Sequence, residues 1–313
     1  MDWKKPIGDF FKSTADDSAE RDKVNAYKAQ YIPRRLFKYR SFSGHALDNF
    51  RNGTLWCTTA SNFNDPYDSA LSFDAYSDEM IAEAAARSLG VYSDAEVVEI
   101  LASDNCISEV FSRVVQKYPD LNAELVEKVV INLRTVQRDH RVKMIDLVNG
   151  GLQSTTKICS LCERIDSVVM WSHYAQNHTG FAIEYDFSVL PPSDFLVRSL
   201  WPVIYDNKLY DATGHLGLAL KKDEPASLFL IGAALHKAQD WSYEAEWRLV
   251  IPESQDDPPR SFKAPAPSAV YIGSRMSDKN VESVLSIARH LDVPVYQMQL
   301  SRFEFSMEAV LRG

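Results

Sequence analysis

Cysteine is scarce: four in 313 residues, too few and too scattered for a disulfide scaffold. Cys159 and Cys162 form a lone CxxC, whereas a structural zinc site takes four ligands, commonly from two such pairs. Cys57 and Cys106 lie far off along the chain, Cys106 within a helical pattern. The expectation is therefore buried thiols, with Cys159 and Cys162 on opposite faces of a strand. Long apolar runs are also missing. Nothing approaches the roughly 20 residues that cross a bilayer, and residues 1–22 lack the apolar stretch of a secretory signal. We expect a cytoplasmic protein that does not engage a membrane. Excess positive charge is absent too. With 34 Lys and Arg against 43 Asp and Glu, the net charge is -9, which argues against a non-specific nucleic-acid binder while leaving room for a local basic groove.

Familiar catalytic signatures are missing. There is no GxxxxGK[ST] and no GxGxxG, no GxSxG elbow, and no HExxH. His173 and His178 are five residues apart and fall on different faces of a helix. Asp65 and Asp68 lie in a dense run of turn formers, SNFNDPYD; they are candidates for a hard cation, although such loops are more often capped turns.

The elements that remain describe an α+β protein. Residues 14–31 read as a polar helix, 36–42 as a strand, and 44–52 as a short amphipathic helix stopped at Asn52 and Gly53. Residues 54–59, TLWCTT, are β-branched and aromatic and read as a second strand. From 77 to 151 apolar residues recur at helical spacing (Ile81, Ala84, Ala85, Leu89; then Leu125, Val129, Leu133, Val136), giving three or four helices closed by Gly150 and Gly151. Strands are expected at 155–161, 180–187, 197–205, 244–250, 269–272 and 293–300. Helices are expected around Trp171, over 227–237 and over 278–290. We read one domain, 1–313, with a mixed or antiparallel sheet and a helical insertion at 77–151.

Residues 241–250, WSYEAEWRLV, carry the most chemistry. Side chains alternate along a strand, so Ala245, Trp247 and Leu249 point one way and Glu244, Glu246 and Arg248 the other. Such a set is either a solvated face neutralised by Arg248 or the floor of a polar cleft.

Four segments together, LFKYRSFS (36–43), LWCTTASNFNDPYD (55–68), MWSHYAQNHTGFAIEYDF (170–187) and KAQDWSYEAEWRLV (237–250), resemble a bacterial family catalogued as a domain of unknown function, number 2971. The pattern continues in AVYIGSRMS (269–277). Some members lie near phage-defence genes, which implies a toxin or defence effector. More distantly, the order of elements is similar to the ADP-ribosyltransferase fold. That resemblance gives Arg40 the first-strand position and Glu246 the late-strand carboxylate, with Glu244 two residues before it. The middle element falls to Ser160, His173 or Tyr174, and the usual His-x-Thr or Arg-Gly motif is absent.

By this resemblance the substrate is NAD and the product an ADP-ribosylated macromolecule. Glu246 would stabilise an oxocarbenium-like centre, Arg40 would clamp the pyrophosphate, Glu244 would orient or deprotonate the acceptor, and Tyr39 or Tyr174 would stack on nicotinamide. Arg40 has a structural alternative, an ion pair with Glu244 or Glu246 that ties two strands together. Two further functional alternatives stand: a metal-dependent hydrolase or nuclease using Asp65, Asp68 and His173, and a non-catalytic module whose helical insertion binds a partner protein.

Overall fold

The computed structural model describes residues 2–13, 18–74, 78–90, 92–120, 123–215, 228–253 and 257–312. These fall into two compact units, one holding 2–71, 150–210 and 228–312, the other 72–149 and 211–215. In chain order come α1 (Lys5–Lys12), α2 (Ser18–Ala29), β1 (Leu36–Arg40), α3 (Gly44–Asn52), β2 (Thr54–Thr59) and the two-residue β3 (Leu71–Ser72). Four helices follow: α4 (Asp78–Leu89), α5 (Asp94–Leu101), α6 (Cys106–Lys117) and α7 (Ala123–Thr155). Then come β4 (Thr156–Cys162), α8 (Val168–Tyr174), β5 (Phe181–Tyr185), α9 (Phe195–Ser199), β6 (Leu200–Pro202), β7 (Ile204–Asp206) and β8 (Tyr210–Asp211). The last third holds a helix over Leu228–Leu235, β9 (His236–Ala238), β10 (Glu246–Pro252), β11 (Arg260–Lys263) and β12 (Pro267–Ile272). A helix over Asp278–Leu291, β13 (Val295–Leu300) and β14 (Met307–Leu311) complete it.

The first unit is built on a ten-stranded sheet whose main path runs β11-β2-β4-β1-β5-β12-β13-β14, with β10 pairing β4 and β6 pairing β10. Its pairings are antiparallel except β12 with β13, which the helix between them joins in parallel. Every residue of β5 is buried, as a central strand covered on both faces requires. On one face Trp247, Leu249, Ile183 and Phe181 join residues from α3 and the Asp278–Leu291 helix; on the other Phe37, Tyr39 and Ala182 pack with Trp171 of α8. Cys159 and Cys162 go to these opposite faces, and the four thiols are buried and free.

One strand makes the site possible. β4 lies along β10 from Glu246 opposite Cys162 to Pro252 opposite Thr156. Its other edge is divided, with β2 taking Lys157 and Ile158 and β1 taking Cys162. Residues 159–161 face the opening between, and a backbone acceptor there must find another partner. Lys38 supplies it, its ammonium 2.8 Å from the Ser160 carbonyl.

The turn from α8 into β5 is held just as tightly. Gln176, Asn177 and His178 all have positive φ (50°, 53° and 69°), an unusual run for residues with a Cβ. Gly180 then passes so close to β1 that a Cβ would sit 2.1 Å from the Arg40 carbonyl oxygen. Gly180→Ala is expected to cost at least about 2 kcal/mol, because a backbone contact cannot rotate away. Urea unfolding checks this; an unchanged midpoint would contradict the packing.

The second unit packs α4, α5 and α6 around Ala82, Ala86, Val97, Ile100, Ile107 and Val110. Ser93 and Glu96 form a capping box at the start of α5. Of the helical-spacing residues named above, the side chains of Ala84, Leu89, Leu125, Val129, Leu133 and Val136 lie outside the described ones, as do residues 14–17 and Ser227.

Several expected elements differ. α7 runs on through Gly150 and Gly151 to Thr155, where a stop was expected; these glycines lack the left-handed conformation that ends a helix. The strand expected at 197–205 is α9 followed by β6 and β7, since Asp194 caps Leu196 and starts a turn of helix. The helix expected to reach 237 ends at Leu235, which puts Lys237 on a strand. The strand expected from Glu244 begins at Glu246.

Candidate active site

The 244–250 alternation does not survive as drawn. Glu244 ends a 3-10 turn, Gln239–Glu244, and Ala245 turns the chain with φ 44° before β10 starts. Yet Glu244, Glu246 and Arg248 still converge, and none is solvated: they are 2%, 3% and 0% exposed. A solvated strand face is therefore ruled out.

What gathers them is a lysine and an aspartate from elsewhere. Asp68 follows a turn in which Asp65 accepts from the Tyr67 N–H at 2.9 Å, so Asp65 caps its own loop. Arg248 grips Asp68 with both terminal nitrogens (2.8 and 2.6 Å). It also donates to Glu246 through Nε at 2.8 Å and Nη2 at 3.0 Å, and to the Ala234 carbonyl at 2.6 Å. Lys237 donates to Glu244, to Glu246 at 3.1 Å, and lies 3.9 Å from Asp68. Tyr174 from α8 donates its hydroxyl to the other oxygen of Glu244 at 2.5 Å. Three carboxylates thus face two cations in a buried cluster, where unpaired charge is costly.

The imbalance separates the two glutamates. Burial opposes ionisation of Glu246, but Arg248 and Lys237 outweigh it and hold its carboxyl well below the usual range, with a smaller contribution from Ser160. For Glu244 burial and the charge of Glu246 prevail over Lys237 and push its carboxyl upward. One is a fixed anion and the other is poised to exchange a proton, the separation that acid–base pairs use. Lys237 stays charged because Glu246, Glu244 and Asp68 together outweigh its burial. Burial and Glu244 raise the Tyr174 phenol, which keeps it a donor.

This cluster floors a cavity of about 380 Å³, walled by Lys38, Ser160, Met170, His173, Tyr174 and the loop Asn62, Phe63 and Asn64. The volume suits part of a small ligand. A second pocket of about 280 Å³ adjoins it, sharing Lys38, Tyr39 and Tyr174.

Arg40 lines this second pocket and not the first. Its Nε and Nη2 are buried without a hydrogen-bond partner, so the suggested ion pair with Glu244 or Glu246 is absent. Tyr39 serves the core: its hydroxyl donates to the Arg164 carbonyl at 2.7 Å, and its ring meets Trp171 edge-on. Ser160 sits opposite Arg248 on β4. His173 is at the rim, its Nδ1 3.3 Å from the Tyr243 hydroxyl.

Among the described residues no group of three or more His, Cys, Asp or Glu is arranged to hold a metal ion. Asp68 has both oxygens on Arg248 and Asp65 caps a turn, which leaves the Asp65, Asp68 and His173 hydrolase without its ligand set. Lys237 was missed from the sequence because its segment reads as a helix end.

Among the described residues no helix is long and apolar enough to cross a membrane. No curated protein and no solved structure matches the chain. Residues 170–249, from α8 to β10 and so including Tyr174, Lys237, Glu244, Glu246 and Arg248, match a family described only as a protein of unknown function, DUF2971.

Proposed function

We propose that the chain is an enzyme similar to the ADP-ribosyltransferases, cleaving the nicotinamide–ribose bond of NAD and passing ADP-ribose to a macromolecular acceptor in the bacterial cytoplasm. One observation carries the reading: a cavity floored by carboxylates adjoins a pocket lined by Arg40, whose buried Nε and Nη2 have no hydrogen-bond partner among the described residues. NAD has the matching pattern, a cationic nicotinamide on a ribose that becomes cationic as the bond breaks, then a dianionic pyrophosphate.

In this reading the nicotinamide ribose lies over Glu246, whose fixed charge stabilises the oxocarbenium-like centre as neutral nicotinamide departs with the bonding electrons. Arg40 takes the pyrophosphate, and its planar donors suit phosphate oxygens. The acceptor attacks the anomeric carbon and gives its proton to Glu244, which Tyr174 orients. Lys237 and Arg248 act through the glutamates as positioning residues.

Incubation with NAD labelled in the adenylate portion, with and without bacterial lysate, tests this through nicotinamide release and transfer of label to macromolecules. Arg40→Met is expected to raise KM for NAD about ten- to a hundredfold, the loss of a charge-assisted contact, with the melting temperature preserved. An unaltered KM would remove Arg40 from the site.

A further inference from the structure

The two ends of the main sheet path are guarded differently. β11 carries Arg260 and Lys263, and charges of this kind discourage another strand from adding on. At the opposite end β14 pairs β13 alone among the described residues and reads Met307-Glu-Ala-Val-Leu. Glu308 to Leu311 are exposed, with Leu311 at 62%. The tip joining β13 to β14 holds Phe303 and Phe305, 95% and 108% exposed. A long exposed edge with apolar neighbours is a template for pairing.

Backbone direction narrows what can pair there. Arg312 donates its N–H to the Val295 carbonyl, and Ser301 donates to Ser306. These two contacts fix the alternation of an antiparallel ladder: residues 306, 308, 310 and 312 turn their backbone groups toward β13. Ala309 and Leu311 turn theirs outward.

We propose that β14 is a dimer interface, at which two copies of the chain add edge to edge in antiparallel fashion with Val310 on the two-fold axis. Outward groups must meet outward groups, so only shifts of two residues are open. Centring on Val310 sets Ala309 of one copy against Leu311 of the other, and Glu308 against Arg312, twice over. Centring on Ala309 sets Glu308 opposite Val310, and centring on Leu311 sets Arg312 opposite it. Centring on Glu308 or on Arg312 sets like charges together. Glu308 has no ion pair within its own chain among the described residues. Arg312 donates to Gln297 on the same face, which holds the guanidinium near that position. The antiparallel arrangement also carries each phenylalanine-bearing tip toward the end of the other copy's strand, where Leu311 is exposed.

Sedimentation equilibrium of the full chain over a concentration series tests this. The wild type is expected to be dimeric. E308R and R312E are each expected to weaken the dimer at least about tenfold, and the double exchange E308R/R312E to restore it. Ala309→Pro, which removes an outward N–H that β13 does not use, is expected to give a monomer that melts cooperatively. A wild type monomeric throughout, a dimer indifferent to Ala309→Pro, or a double exchange as weak as the single ones would overturn the proposal.

Discussion

Arg248→Met is expected to cost the fold about 3–5 kcal/mol, the range for removing one partner of a buried charge cluster. Such a loss is a large part of the total stability of a typical domain. The reason lies in what stays behind. Arg248 is fully buried and is the main neutralising group for Asp68 and for Glu246. Methionine fills much of the space but leaves both carboxylates inside, with Lys237 alone to face three acids. Adding Asp68→Leu is expected to return part of the loss, since it removes one stranded anion; the coupling is read from a double-mutant cycle of urea unfolding. If Arg248→Met unfolded at the wild-type midpoint, the cluster would not be the buried and charged assembly described above.

The second large effect is catalytic. Glu246→Gln keeps size and one acceptor oxygen but removes the fixed negative charge that we propose lies beneath the reacting ribose. Nicotinamide release is expected to fall about a hundred- to a thousandfold, the scale of a lost electrostatic contact in a preorganised site. Glu244→Gln should act on a different step: transfer to the acceptor falls about a hundredfold or more, while release to water persists in part. Their pH profiles separate the two. Glu246 is ionised throughout the neutral range because its carboxyl is held low, so release stays flat as pH rises from mildly acidic to neutral. Glu244 must be ionised to accept a proton and its carboxyl is raised, so transfer climbs with pH through a point above the usual carboxylate range. The Tyr174 hydrogen bond favours ionised Glu244; Tyr174→Phe is expected to move that rise to higher pH.

Local pattern made some of this legible in the chain. The helix Gly44–Asn52 and the strand Thr54–Thr59 follow from capping and β-branching alone: Ser43 caps the Ala46 N–H, and Gly53 takes the left-handed conformation that ends the helix. Alternation assigned Trp247 and Leu249 to the core and Glu246 and Arg248 to a common face. It misplaced Glu244, because nothing local marks Ala245 as a positive-φ residue. The places of Asp68 and Lys237 in the charged cluster escaped for a different reason. Asp68 reaches Arg248 across 180 residues of chain, and Lys237 reaches Glu244 and Glu246 from β9, a strand of three residues whose only described strand partner is the equally short β7. No periodicity signals that. The division of β4 between β1 and β2 is likewise a property of sheet pairing, so the opening at Ser160 has no signature in the order of residues.

The role proposed for Glu246 is tested most directly by nicotinamide release from NAD by purified wild-type protein beside Glu246→Gln, with melting curves taken on both. Measurable release by the wild type is expected, with a loss of at least about a hundredfold in a variant that still melts cooperatively. A folded wild type that leaves NAD intact, alone and with lysate, or a folded Glu246→Gln that turns over at the wild-type rate, would contradict it.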